Sequence, residues 1–220
     1  MKREIIKTSD GSTTLQITEW NECYHSKHGA IQEALHVFIK NGLYLFDNQN
    51  VSILEIGFGT GLNTLITFIE HSKLGLKVHY QTVEAYPLLW EEVQQMNYCK
   101  ELKMNNLNSI FEKIHLSNWN ENIQLSDTFI LTKRQQFFEQ IDDENQFDLI
   151  YFDAFGARVQ PELWEENIFQ KMYKSLNFNG YLVTYSAKGS VQRAMKTCGF
   201  QVEKLQGPPG KREMLRAKKN

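Results

Sequence analysis

Apolar positions along the chain follow two alternating rhythms. Short runs rich in Val, Ile, Leu, Phe and Tyr occupy residues 51–56, 78–84, 128–131, 147–153 and 181–186, and each reads as a strand. Between them, apolar residues recur three and four apart, the spacing of one helix face, over 62–69, 87–98, 107–114, 136–141, 161–176 and 191–198. Pro161 suits a first helical turn and Gly199 suits a helix stop. Asn179-Gly180 predicts a turn into the strand at 181–186, and Gly207-Pro208-Pro209-Gly210 predicts a hairpin joining 200–205 to 213–217. Strands alternating with helices and closing on a hairpin imply a doubly wound α/β sheet, mostly parallel, with one antiparallel strand near its edge. Ahead of it, residues 4–8 and 13–20 flank Asp10-Gly11 as a second hairpin, and residues 30–40 carry a helical apolar stripe. The chain therefore divides into an N-terminal extension, 1–45, packed on a main domain, 46–220.

The run at 51–56 is followed at once by Gly57-Phe58-Gly59-Thr60-Gly61 and then by the helical pattern starting at Leu62. Glycine is needed where a backbone turns sharply and a ligand must approach within contact distance. The loop amides and the helix start then face a polar ligand. Leu62-Asn63 stand where a nicotinamide-type fingerprint would continue to its last glycine, so the spacing is not that of G-x-G-x-x-G. With Glu55 two residues ahead, the acidic-x-G-x-G-x-G pattern resembles the first motif of class I S-adenosylmethionine (SAM) methyltransferases, a Rossmann-like fold. That resemblance assigns Glu55, Gly57, Phe58, Gly59, Thr60, Gly61 and Asn63 to the cofactor SAM. One βα unit later a nucleoside ligand needs a carboxylate for its ribose hydroxyls, and Glu84 ends the strand at that distance. Asp153 ends the strand at 147–153 and is expected beside both the cofactor and the reacting centre.

Composition narrows the class without naming a function. The 220 residues are 41% hydrophobic and 23% charged with only 4 prolines, as in a globular protein that buries a sizeable core. No apolar run approaches bilayer length and the first residues lack a secretory signal's apolar core, so no membrane partner is expected and the location is expected to be cytoplasmic. Three scattered cysteines, Cys23, Cys99 and Cys198, indicate neither disulfides nor a thiolate zinc site. His25, His28 and His36 lack the carboxylate spacing of a metalloprotease, so no metal is expected. A net charge of −2 argues against nonspecific coating of nucleic acid but allows a local basic patch.

Around Asp153 the sequence becomes specific. Tyr151-Phe152-Asp153-Ala154-Phe155-Gly156-Ala157-Arg158-Val159-Gln160-Pro161-Glu162-Leu163-Trp164 and Gly207-Pro208-Pro209-Gly210-Lys211-Arg212-Glu213-Met214 resemble the methyltransferase family that forms 5-methylaminomethyl-2-thiouridine at the tRNA wobble position. Tyr24-His25-Ser26-x-x-Gly29-Ala30 and Lys188-Gly189-Ser190 fit it too. The resemblance implies methyl transfer to the amine of 5-aminomethyl-2-thiouridine, with Asp153 and Phe155 as catalytic residues. It implies tRNA as partner, with Tyr24 and His28 among the substrate contacts; local positive charge points to Lys188, Lys211, Arg212 and Arg216, with Lys133 and Arg134, as phosphate contacts. Some members are fused to an FAD-dependent oxidoreductase; here the methyltransferase is expected to stand alone, with a separate FAD-dependent or other enzyme supplying the amine. Two departures stand out: Gly156-Ala157 replaces the Ala-Pro of many relatives, and Leu131-Thr132-Lys133 lacks the acidic residue many class I enzymes place against adenine. Trp20 and Trp164 are expected in the core. The rivals are a small-molecule amine methyl or aminopropyl transferase, which would need several acidic residues, and a non-catalytic SAM-binding RNA module.

Overall fold

The computed structural model describes residues 2–220. The strands are β1 (Arg3–Lys7), β2 (Thr13–Ile17), β3 (Glu22–Cys23), β4 (Asn50–Ile56), β5 (Lys77–Glu84), β6 (Asn122–Ser126), β7 (Phe129–Gln135), β8 (Phe147–Phe152), β9 (Leu176–Thr184), β10 (Gln201–Gln206) and β11 (Glu213–Lys218). The helices are α1 (Ala30–Ala34, continuing in π form over Leu35–Lys40), α2 (Leu62–His71), α3 (Trp90–Val93), α4 (Tyr98–Glu101), α5 (Asn108–Leu116), α6 (Glu166–Ser175) and α7 (Gly189–Thr197).

Eight strands form the main sheet in the order β10-β11-β9-β8-β4-β5-β7-β6. The five inner strands, β9-β8-β4-β5-β7, are mutually parallel, while β11 runs antiparallel to β9 and β6 antiparallel to β7. A central parallel strand must be apolar on both faces, and β4 is: Val51 and Ile53 join the core under α1, α2 and α5, while Leu54 and Ile56 join the core under α6 and α7. The chain leaves β4 toward β5 on one side and returns to β8 on the other. Strand order therefore reverses at the carboxyl ends of β4 and β8, where ligands of such sheets bind. The β1-β2-β3 sheet stands apart from the main one. Leu15 of β2 and the residues of α1 nonetheless share one core with β4, β5 and α2.

Four local expectations need correction. The helix expected over 87–98 is two short helices, because Asn97 leaves the helical line to bind the N-terminal hairpin: Oδ1 accepts from Thr13 N (2.8 Å) and Nδ2 donates to Gly11 O (3.0 Å). The helix expected over 161–176 breaks at Glu165, which is extended, after a 3-10 turn pinned by Trp164 Nε1 donating to Phe155 O (2.8 Å). Strand β6 was not expected; a turn at Asp127 pairs it to β7, and with only Leu125 buried it has almost no apolar signature. Asn179-Gly180 lies within β9, not before it, where the pairing with β8 shifts register and Asn179 adopts φ 65°.

Candidate active site

At the carboxyl end of β4 the chain turns through Gly57 (φ 92°) and Gly59 (φ 49°) before α2 begins. A Cβ on Gly57 would stand 2.9 Å from the carbonyl oxygen of Asp153, so only glycine lets the β4 and β8 ends come this close. Asp153 N in turn donates to Ile56 O (3.0 Å), and Gly57 N donates to Val83 O (3.0 Å), tying three strand ends together. Glu84 closes the second strand with both oxygens held: Oε2 accepts from Gly59 N (3.2 Å) and Oε1 from Tyr86 N (2.9 Å).

These ends floor a cleft of about 510 Å³, within the range of sites that engulf a small molecule. Gly57, Phe58, Gly59, Asn63, Glu84 and Asp153 line it, as do Phe155, Tyr24 and Lys211. The remaining expected contacts lie elsewhere. Glu55 is fully buried beneath α2, accepting from Thr64 Oγ1 (3.2 Å), and burial pushes its carboxyl up to about 7. Thr60 and Gly61 sit behind the loop: Tyr98 OH donates to Thr60 Oγ1 (2.9 Å), and His115 packs against Gly61. His28 packs against Gly210 outside the cleft, and Lys188 and Arg212 are exposed outside its lining.

The basic patch also changes. Lys133 is 1% exposed, donates to His115 O (2.6 Å) and faces the rings of Phe58 and Trp119; burial brings its ammonium down to about 8. Arg134 is paired with Asp143 (2.6 Å) and Arg216 with Glu203, so neither is a free phosphate contact. Trp164 is core, but Trp20 is half-buried and lines the cleft, edge-on to Phe155 (5.8 Å), with Tyr24 also edge-on to Phe155 (4.8 Å). On the opposite rim Tyr86 and Phe137 meet edge to face (5.8 Å).

Asp153 Oδ2 accepts from Asn63 Nδ2 (2.8 Å). Burial first, and the negative charge of Glu33 second, raise its carboxyl well above the ordinary carboxylate range. Sequence reasoning missed Glu33 and Tyr185. Glu33 lies on the buried face of α1 with Ala30, Ala34 and Val37, and an acidic residue on an apolar helix stripe was the available signal. Its Oε1 pairs with Lys211 Nζ (2.6 Å) and its Oε2 accepts from Ser26 N (3.0 Å). Tyr185, just past the end of β9, follows the same strand-end logic as Glu84 and Asp153; its hydroxyl donates to Ala154 O (2.8 Å). His25 is a third addition, its ring between Thr14 Oγ1 (2.9 Å) and Thr60 Oγ1 (3.4 Å) and held neutral, down to about 4, by burial. The lining is acidic overall: Glu22, Glu33, Glu84, Glu139, Asp153 and Glu162 face Arg3, Lys27 and Lys211.

Residues 76–220 match the family described as S-adenosyl-L-methionine-dependent methyltransferase. The chain belongs to that family. The cofactor is S-adenosyl-L-methionine. Among curated proteins, the chain is 28% identical over 216 residues to the tRNA 5-methylaminomethyl-2-thiouridine biosynthesis bifunctional protein MnmC of Hydrogenovibrio crunogenus, covering 90% of this chain and 31% of that one. The MnmC of Leptospira interrogans is 29% identical over 209 residues, covering 90% and 32%. The chain thus spans about a third of the length of these curated relatives. The crystal structure of MnmC2 from Aquifex aeolicus superposes with a TM-score of 0.78 at 25% identity, covering 98% of this chain and 70% of that one. Spermidine synthase of Thermotoga maritima, at a TM-score of 0.61 and 13% identity over 99% of this chain and 69% of its own, shares the fold alone. Among the described residues no helix is long and apolar enough to cross a membrane.

Proposed function

We propose that the protein methylates the primary amine of 5-aminomethyl-2-thiouridine at the tRNA wobble position, in the cytoplasm, giving 5-methylaminomethyl-2-thiouridine. The observation that carries this reading is Asp153: a half-buried carboxyl of raised pKa at a strand end beside the glycine loop, in the cleft floored by that loop. An alkyl amine titrates near ~10 and arrives as an ammonium, which has no lone pair to attack with. A carboxylate of ordinary pKa would hold that cation without relieving it of its proton. The raised Asp153 is a stronger base, better matched to accepting one. The ammonium proton passes to an Asp153 oxygen, leaving a neutral amine and a neutral carboxyl, while Asn63 Nδ2 fixes the carboxyl's direction.

S-adenosyl-L-methionine, when bound, supplies a methyl group on a positively charged sulfur. The residues present fit it. Gly57 and Gly59 keep the floor free of side chains, Glu84 offers a fixed carboxylate to ribose hydroxyls, and Tyr86 and Phe137 offer aromatic surface on the same rim. Asn63 Oδ1 is buried without a donor and suits an ammonium of the methionine part. Trp20, Tyr24 and Phe155 form an aromatic wall suited to excluding water or stacking on a base. Residues 1–45 act as an extension supplying one side of the cleft, through Trp20, Tyr24 and Glu33. Exposed Lys188 and Arg212 remain candidates for phosphate contact, which positions tRNA without selecting a base. A separate enzyme, FAD-dependent or otherwise, would supply the aminomethyl group. Incubating the protein with isotope-labelled S-adenosyl-L-methionine and tRNA from cells lacking the modification, followed by nucleoside mass spectrometry, should give label in 5-methylaminomethyl-2-thiouridine. Label in a free polyamine instead, or donor binding with no transfer, would overturn the proposal.

A further inference from the structure

Of the three cations lining the cleft, Arg3 is paired with Glu92 (3.0 Å), Lys27 is exposed, and Lys211 is held against the wall that carries Asp153. Lys211 Nζ lies 2.6 Å from Glu33 Oε1 and 3.9 Å from the centre of the Tyr185 ring. Both partners are fixed independently of Lys211. Glu33 is 8% exposed and its second oxygen is held by Ser26 N (3.0 Å); the Tyr185 ring is held by its hydroxyl on Ala154 O (2.8 Å). A carboxylate beside an aromatic face is a built site for an ammonium. Leaving that buried carboxylate without a cation is strongly destabilising, so the site favours a cation at rest.

Lys211 fills the place by a flexible four-carbon stem. The backbone that carries it is secured separately, with Gly207 N on Arg212 O (3.1 Å), Lys211 N on Pro208 O (2.9 Å) and Gly210 against His28. The ammonium can therefore swing away while the loop stays docked. An aminomethyl group brings the same head, a primary ammonium, into the same cleft. We propose that Glu33 and the Tyr185 face form the acceptor-ammonium site, and that Lys211 is a tethered placeholder displaced by the substrate's amine. This rests on the amine-methylation reading. The exchange conserves charge: Glu33 keeps a cation, and the incoming amine is set beside Asp153. A substrate without an amine would expel Lys211 and strand Glu33, so the exchange selects for amines. The placeholder also lowers apparent affinity, because only the fraction with Lys211 swung out can accept a ligand there.

The test titrates methylammonium chloride, at neutral pH, into the full chain and follows it by NMR or calorimetry. Lys211→Met should bind methylammonium at least tenfold more tightly than the wild type, and Glu33→Gln added to Lys211→Met should abolish the gain. Lys211→Gln replaces Lys211→Met should the latter fail to fold, with the same expectation. No gain in either Lys211 variant, or a gain that survives Glu33→Gln, overturns the placeholder. Methylation of aminomethyl-bearing tRNA by the wild type is measured in parallel. Turnover there without the Glu33-dependent gain removes the placeholder and leaves the methylation reading; the gain without turnover retains an ammonium site and removes the reading.

Discussion

Replacing Glu55 by Gln separates a core carboxyl from a cofactor-binding one. Glu55 is 0% exposed, Thr64 Oγ1 reaches one oxygen at 3.2 Å, and Oε1 has no hydrogen-bond partner. Burial lifts its carboxyl from an ordinary 4.5 to about 7 against the opposing effect of Thr82, Asn63, Tyr80 and Thr64. At about 1.4 kcal/mol per pH unit, that rise amounts to about 3 kcal/mol. Because the folded pKa is raised, the contribution is fully present below pH 4.5 and is lost as pH rises through about 7. Two half-buried histidines act in the opposite sense. Burial holds His25 down to about 4 and His115 down to about 3, so their contribution is full above pH 6.5 and lost as pH falls toward those values. Comparing Glu55→Gln with the wild type cancels the histidines, and Asp153, which also senses the Glu55 charge, adds in the same sense as Glu55. Urea melts between pH 5 and pH 8.5 should show the variant gaining about 3 kcal/mol on the wild type as pH rises, with affinity for S-adenosyl-L-methionine unchanged. Parallel stability curves, or a tenfold loss of donor affinity, would refute the placement of Glu55 as a core group.

Asp153→Asn keeps the shape of the carboxyl and removes its basicity, so kcat should fall by ~10²–10⁴ while donor affinity, by calorimetry, stays within about threefold. In the wild type the acid limb of kcat should lie well above 3.8, the ordinary value for this group, because burial and Glu33 raise it. Gly57→Ala would set a Cβ 2.9 Å from Asp153 O at φ 92°, and should lose about 1–3 kcal/mol in a denaturant melt together with at least ~10-fold in donor affinity. Asn97→Ala removes the acceptor of Thr13 N and the donor to Gly11 O, and should lower stability by about 1–3 kcal/mol with little change in donor affinity.

The legible parts of the chain are those where local pattern and tertiary demand agree. Residues 51–56 had to be a central strand because a run without a solvated face can be buried only between two layers, and Gly57 had to be glycine because Asp153 O leaves no room for a Cβ. The same logic put Glu84 and Asp153 at one end of the sheet. What escaped notice was set by partners distant in sequence. Nothing between residues 87 and 98 announces that Asn97 will break its helix to bind a hairpin 84 residues away, and β6 exists because β7 offers an open edge. In the cleft the sign of a residue could be read but not its occupation. Lys211 counts as one positive charge in the sequence, and as a possible phosphate contact; only its 2.6 Å approach to Glu33 turns it into half of a pair. Glu55 shows the converse, since a carboxylate two residues before a glycine loop looks directed at a ligand. Strand alternation instead turns it, with Val51 and Ile53, toward α2, and a side chain that stabilises the loop from beneath then carries the same sequence signature as one that touches the ligand.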